Sequence, residues 1–91
     1  MSQCIHCVVS GRVQGVFFRV STEEMANRLG LSGWVRNTPS GNVEVEACGS
    51  AKQLGEFHEW LWKGPVGASV KDVRCKEAEG IPEEVGFYIK Y

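Results

Sequence analysis

From residue 11 to residue 19 the chain reads Gly11-Arg12-Val13-Gln14-Gly15-Val16-Phe17-Phe18-Arg19, and these residue types in this spacing suit the binding of an anion. Glycine spacing lets successive backbone N–H groups turn inward, and a helix that follows presents its unpaired N–H groups beside them. Gly15 can take a positive φ and has no side chain to obstruct a ligand. Val13, Val16 and one of Phe17 or Phe18 are apolar enough to pin the loop to a core. Arg19 adds a planar fork whose paired donors match two oxygens of one phosphate, so the loop could hold a phosphoryl dianion without a metal. The plainer alternative is that Gly11 and Gly15 shape a connection and Arg19 is a solvated cation. Against it, a cation at a helix start opposes the helix dipole unless an anion lies between.

Other candidates carry less. Cys4-x-x-Cys7 with His6 between could suggest a metal or redox motif, but on a strand Cys4 and Cys7 face opposite sides and cannot converge on one ion. His6 and His58 have no Ser or Asp constellation around them and are assigned no catalytic role. Trp60 and Trp62 read as packing and rim residues, and Trp34 as packing or flanking a hairpin.

The elements that must position the loop follow from periodicity and turn chemistry. Cys4 to Ser10 alternates as a half-buried strand. Ser21 with Glu24 predicts a capping box for a helix over about Thr22 to Leu29, with Gly30 as its left-handed stop. Gly33 to Asn37 and Asn42 to Cys48 predict a hairpin around Thr38-Pro39-Ser40-Gly41. Ser50 and Gln53 predict a second capping box, for a helix over about Ala51 to Lys63 ended by Gly64-Pro65. Ala68 to Glu77 is strand-like with a phase change between Val70 and Val73, which predicts a bulge or bent edge. Glu77 to Glu84 reads as an exposed loop, and Phe87, Ile89 and Tyr91 alternate as a last strand. The order is that of a ferredoxin-like βαββαβ sandwich of α+β class: an antiparallel sheet with two helices on one face, plus an additional C-terminal strand.

In this topology the first and third strands are antiparallel neighbours. Cys4 shares its face with His6 and Val8, and Cys48 shares its face with Glu44 and Glu46. A Cys4–Cys48 disulfide is therefore sterically open under oxidising conditions, although reduced thiols are the first assumption. Cys7 faces the core, the facing of Cys75 is unclear, and both read as structural or inert.

Three blocks, Gly11-x-Val13-Gln14-Gly15-Val16-x-Phe18-Arg19, Gly30-Leu31-x-Gly33-Trp34-Val35-x-Asn37 and Gly41-x-Val43-Glu44, resemble the acylphosphatase family, essentially along the whole chain. The resemblance implies the same ferredoxin-like fold and hydrolysis of the carboxyl–phosphate anhydride of an acyl phosphate, releasing inorganic phosphate. It implies that Arg19 binds the phosphate with the N–H groups of about Gln14, Gly15, Val16, Phe17 and Phe18. It implies, too, that Asn37 orients the attacking water. Taken alone, an asparagine beside a turn more often bonds nearby backbone. No cofactor and no metal is expected, because the leaving carboxylate needs no general acid and the transition state asks mainly for charge stabilisation and an in-line nucleophile.

Composition bounds the alternatives. The 91 residues are 43% hydrophobic, 10% aromatic and 23% charged, which suits one domain over residues 1–91. Ten Lys+Arg against eleven Asp+Glu leave a net charge of -1, with no field to steer the chain to nucleic acid or an anionic membrane. No secretory signal pattern and no membrane-length apolar run is present, so a cytoplasmic location is expected, with a monomer acting on a small molecule. The competing reading is a non-catalytic ferredoxin-like module that binds anions or protein. A nucleic-acid module, lacking a basic patch and an aromatic strand motif, comes third.

Overall fold

The structure, a computed structural model, describes residues 3–79 and 86–91. Its elements run β1 (Gln3–Arg12), α1 (Phe18–Arg28), β2 (Ser32–Asn37), β3 (Val43–Gly49), α2 (Ala51–Lys63), β4 (Ser69–Glu77) and β5 (Phe87–Ile89). The sheet order is β4-β1-β3-β2-β5. Pairing is antiparallel except at the added edge, where β5 runs parallel to β2, so the sheet is mixed rather than wholly antiparallel. Both helices pack on one face, where Val9, Val35, Val45 and Val73 from the sheet meet Phe18, Ala26, Phe57 and Leu61 from the helices. No helix among the described residues is long and apolar enough to cross a membrane.

The first helix begins four residues before the expected start, and this bears on the site. Ser21 is not its cap; the Ser21 N–H already donates to Phe17 O at 3.0 Å inside the first turn. Phe17 occupies the cap position at φ 60, ψ 26, with no side-chain capping bond. The extra turn is driven by burial, because Phe18 joins Thr22 and Ala26 on the inner face and lies 5.7 Å, ring to ring, from Trp60 of α2. The other helix boundaries follow the sequence. At the end of α1, the Gly30 N–H donates to Asn27 O and the Leu31 N–H to Ala26 O, a Schellman closure with Gly30 at φ 80. Ser50 and Gln53 exchange both bonds of a capping box, and the Gln53 amide also donates to Leu29 O, tying the two helices together.

The phase change in β4 is a bulge. Ser10 pairs with Asp72 but Gly11 pairs with Val70, which leaves Lys71 as the extra residue. Gly11 is required there: its φ is 122, and a Cβ would stand 2.3 Å from Ser69 O. At the opposite edge Asn27 of α1 fixes β5, its amide bonding both the N–H and the C=O of Phe87 at 2.9 and 3.1 Å. Most of the loop expected over Glu77 to Glu84 lies outside the described residues.

The second sheet face bears a polar cluster. Glu44 accepts from His6 at 2.7 Å and from the Arg36 guanidinium, and Trp34, which the sequence reads as packing or flanking the hairpin, lies under both Arg36 and Lys90. Burial alone would raise the Glu44 carboxyl, but the His6 and Arg36 hydrogen bonds and charges outweigh it and hold the group below the ordinary carboxylate value. A depressed folded value stabilises the fold above the unfolded value of about 4.3, and that contribution is lost as pH falls through the folded value. Glu44→Gln is therefore expected to lose less stability than the native chain between neutral pH and acid, as measured by urea midpoints.

The four cysteines form two cross-strand pairs. Cys4 and Cys48 sit directly opposite each other in β1 and β3 with sulfurs 2.05 Å apart, and Cys7 and Cys75 sit opposite in β1 and β4 with sulfurs 2.00 Å apart. The bulge at Lys71 decides the facing of Cys75, which the sequence pattern left unclear, and gives Cys7 a partner. Closing chain separations of 44 and 68 residues removes unfolded-state entropy worth about 4 kcal/mol for either bond alone, and less than twice that for both because the loops overlap. After air oxidation the denatured chain is expected to show no free thiol, and all four after reduction, with a large drop in the denaturation midpoint on reduction. Equal thiol counts in the two samples would refute both bonds.

Candidate active site

The loop from Val13 to Phe17 hangs between β1 and α1, held by its apolar residues. Val13 and Phe18 are buried and Val16 packs against the core, whereas Phe17 projects outward. Which phenylalanine anchors the loop was open in the sequence; α1 settles it, since Phe18 falls on the helix's inner face. Gly15 at φ 75 and Phe17 at φ 60 place left-handed residues on either side of Val16, the alternation that points successive N–H groups to one side. Among the described residues, the N–H groups of Gln14 to Val20 make no hydrogen bond to backbone or side chain. Of these residues Gly15, Phe17, Phe18, Arg19 and Val20 line one cavity at the start of the α1 dipole, and Gln14 and Val16 are not among its walls.

Arg19 is the second residue of α1, in a first turn with no acidic side chain. Its guanidinium lies 5.3 Å from the centre of the Tyr91 ring, a cation–π contact. Asn37, the last residue of β2, shares the helix-facing side of the strand with the buried Val35. Arg19 and Asn37, 18 positions apart in the chain, wall the same cavity of about 220 Å³ together with Gly15, Phe17 and Phe18. Asn37 Oδ1 is buried with no hydrogen-bond partner among the described residues. A buried acceptor without a partner is costly, and at a cavity wall it is suited to accept from a bound water.

The main chain around Asn37 is set by the hairpin, where the Gly41 N–H donates to Thr38 O and the Thr38 N–H to Asn42 O. A further contact lay beyond sequence reasoning. The Gln14 side chain donates to Thr38 O at 2.9 Å and to Asn42 O at 2.8 Å, strapping the cradle loop to the base of the hairpin that carries Asn37. Gln14 is thus placed by its side chain. The only hint in the sequence is a polar residue between Val13 and Gly15; its partners are 24 and 28 residues away.

The acylphosphatase family model matches residues 5–89. The chain belongs to the acylphosphatase family. An acylphosphatase from Nitrosococcus oceani is 47% identical over 90 residues, covering 99% of this chain and 100% of the relative. Among solved structures, the acylphosphatase from Bacillus subtilis superposes with a TM-score of 0.92 at 35% identity, covering 100% of both chains. The acylphosphatase from Coxiella burnetii gives 0.89 at 43% identity, covering 98% of this chain and 93% of the other. The chain is accordingly an enzyme of the hydrolase class on the acylphosphatase form of the ferredoxin-like fold. The first of the three sequence blocks ends on Arg19 and the second on Asn37, and both residues line the cavity.

Proposed function

We propose that this protein hydrolyses small acyl phosphates without a metal, with Arg19 and the loop amides of Gln14 to Phe18 binding the phosphoryl group and Asn37 positioning the water. The observation that carries this reading is that Arg19 and Asn37 line one cavity with loop residues whose N–H groups have no acceptor among the described residues. The water oxygen bonds to phosphorus as the bond from phosphorus to the carboxyl oxygen breaks. The bonding pair leaves with the carboxylate, and both water protons remain on the phosphate monoanion released.

The demands of this step match what the site offers. The leaving group's conjugate acid has a pKa of about 4, so the carboxylate departs without a proton donor. Negative charge on the equatorial oxygens is met by fixed donors: the guanidinium fork, the amides and the helix start. Asn37 Oδ1 can accept from the water and its Nδ2 can donate, and a neutral amide does not repel the phosphate as Asp would. The Gln14 strap fixes the distance between the phosphate cradle and the water site, where a small misplacement is costly in rate. The test is hydrolysis of benzoyl phosphate with EDTA present. Rapid turnover supports the reading; phosphate binding without turnover would support an anion-binding module instead.

A further inference from the structure

The mouth of the cavity carries apolar surface that neither folding nor the phosphoryl site accounts for. Phe17 is 80% exposed and Val20 43%, both line the cavity, and neither belongs to the core cluster. Phe17 is the left-handed cap residue just before α1 and Val20 lies in its first turn, and both line the one cavity. Phe17 is also the only described non-glycine residue with a positive φ. A left-handed site favours Gly or Asn, yet a bulky aromatic stands here with its ring in solvent beside Arg19.

Resting on the hydrolase reading above, we propose that the Phe17 ring and Val20 receive the acyl portion of the substrate, so that aromatic and extended apolar acyl phosphates are selected over small ones. With the phosphoryl group in the cradle, the acyl chain must leave by the open side. Val13 and Phe18, only 1% exposed each, close the deep wall, which leaves Phe17 and Val20 as the apolar surfaces at the mouth. A flat or extended apolar group covers them and removes them from water, whereas a methyl group does not reach.

The test is the ratio of kcat/KM for benzoyl phosphate to that for acetyl phosphate, in the native chain and in Phe17→Asn, Phe17→Leu and Val20→Ser. Asparagine tolerates the left-handed backbone, so Phe17→Asn removes the ring while keeping the loop. The ratio is expected to favour benzoyl phosphate in the native chain and to fall about tenfold in Phe17→Asn. It should fall less in Val20→Ser and be largely restored in Phe17→Leu, with the change in KM rather than kcat. A native ratio near unity, or ratios unaltered in both Phe17→Asn and Val20→Ser, would overturn the inference while leaving hydrolysis intact. A native chain that hydrolyses neither compound overturns the underlying hydrolase reading, and this inference with it.

Discussion

Arg19→Ala is expected to lower kcat/KM for an acyl phosphate by about 10³-fold, the upper end of what loss of one preorganised donor costs, because the guanidinium supplies two donors and a charge together. Folding should survive. Arg19 is half-exposed, makes no ion pair among the described residues, and sits where a cation opposes the α1 dipole. The variant is therefore expected to be as stable as the native chain or slightly more so, since the unfavourable cation is gone. Arg19→Lys should recover only part of the activity, because an ammonium restores charge without the planar pair of donors. Inhibition by inorganic phosphate should weaken in both variants. Full activity in the lysine variant, or unchanged phosphate inhibition in the alanine variant, would remove Arg19 from the phosphoryl site.

Asn37→Ala is expected to lose about 10²- to 10³-fold in kcat while inhibition by inorganic phosphate stays nearly native, since the residue is assigned to the nucleophile and not to the bound phosphoryl group. Stability supplies an independent check. Asn37 Oδ1 is buried and unpartnered among the described residues, so deleting it removes an unfavourable group rather than a structural bond. The variant should unfold at the native midpoint or above it. A residue retained for folding would show the reverse: a lowered midpoint with kcat preserved in the fraction that remains folded. Loss of phosphate inhibition with unchanged kcat would exchange the roles of Asn37 and the cradle.

Gln14→Leu removes the strap while leaving Arg19, Asn37 and the loop N–H groups in the chain. If the strap fixes the spacing of cradle and water, its removal acts on kcat through Asn37. Phosphate affinity, which depends on Arg19 and amides on the same side of the strap, should then change little.

Much of the scaffold was legible because its signals are local. The ends of α2, the stop of α1 at Gly30, the hairpin at Thr38 to Gly41 and the bulge in β4 each depend on residues a few positions apart. The start of α1 was misplaced for the same reason. Ser21 and Glu24 carry a valid local capping pattern, and it lost to the burial of Phe18 against Trp60, a residue 42 positions away. The anion character of the Gly11 to Arg19 loop was legible from glycine spacing and the arginine, and the family resemblance added Asn37.

By itself, then, the sequence determined the order of the elements, the loop suited to a phosphate and the family. Turn chemistry, periodicity and motif spacing act over a few residues and need no knowledge of what lies opposite. Only the tertiary structure decided that Arg19 and Asn37 face one cavity, that Phe18 rather than Phe17 is buried, and that Gln14 reaches the hairpin. It also decided that β5 lies parallel to β2, that Cys7 pairs with Cys75, and that the Cys4–Cys48 bond, which strand parity leaves open in the sequence, is made. These are contacts between residues 18 to 68 positions apart, and which of them form depends on how distant strands and helices pack on the two faces of one sheet, a property of the whole chain and of no single segment of it.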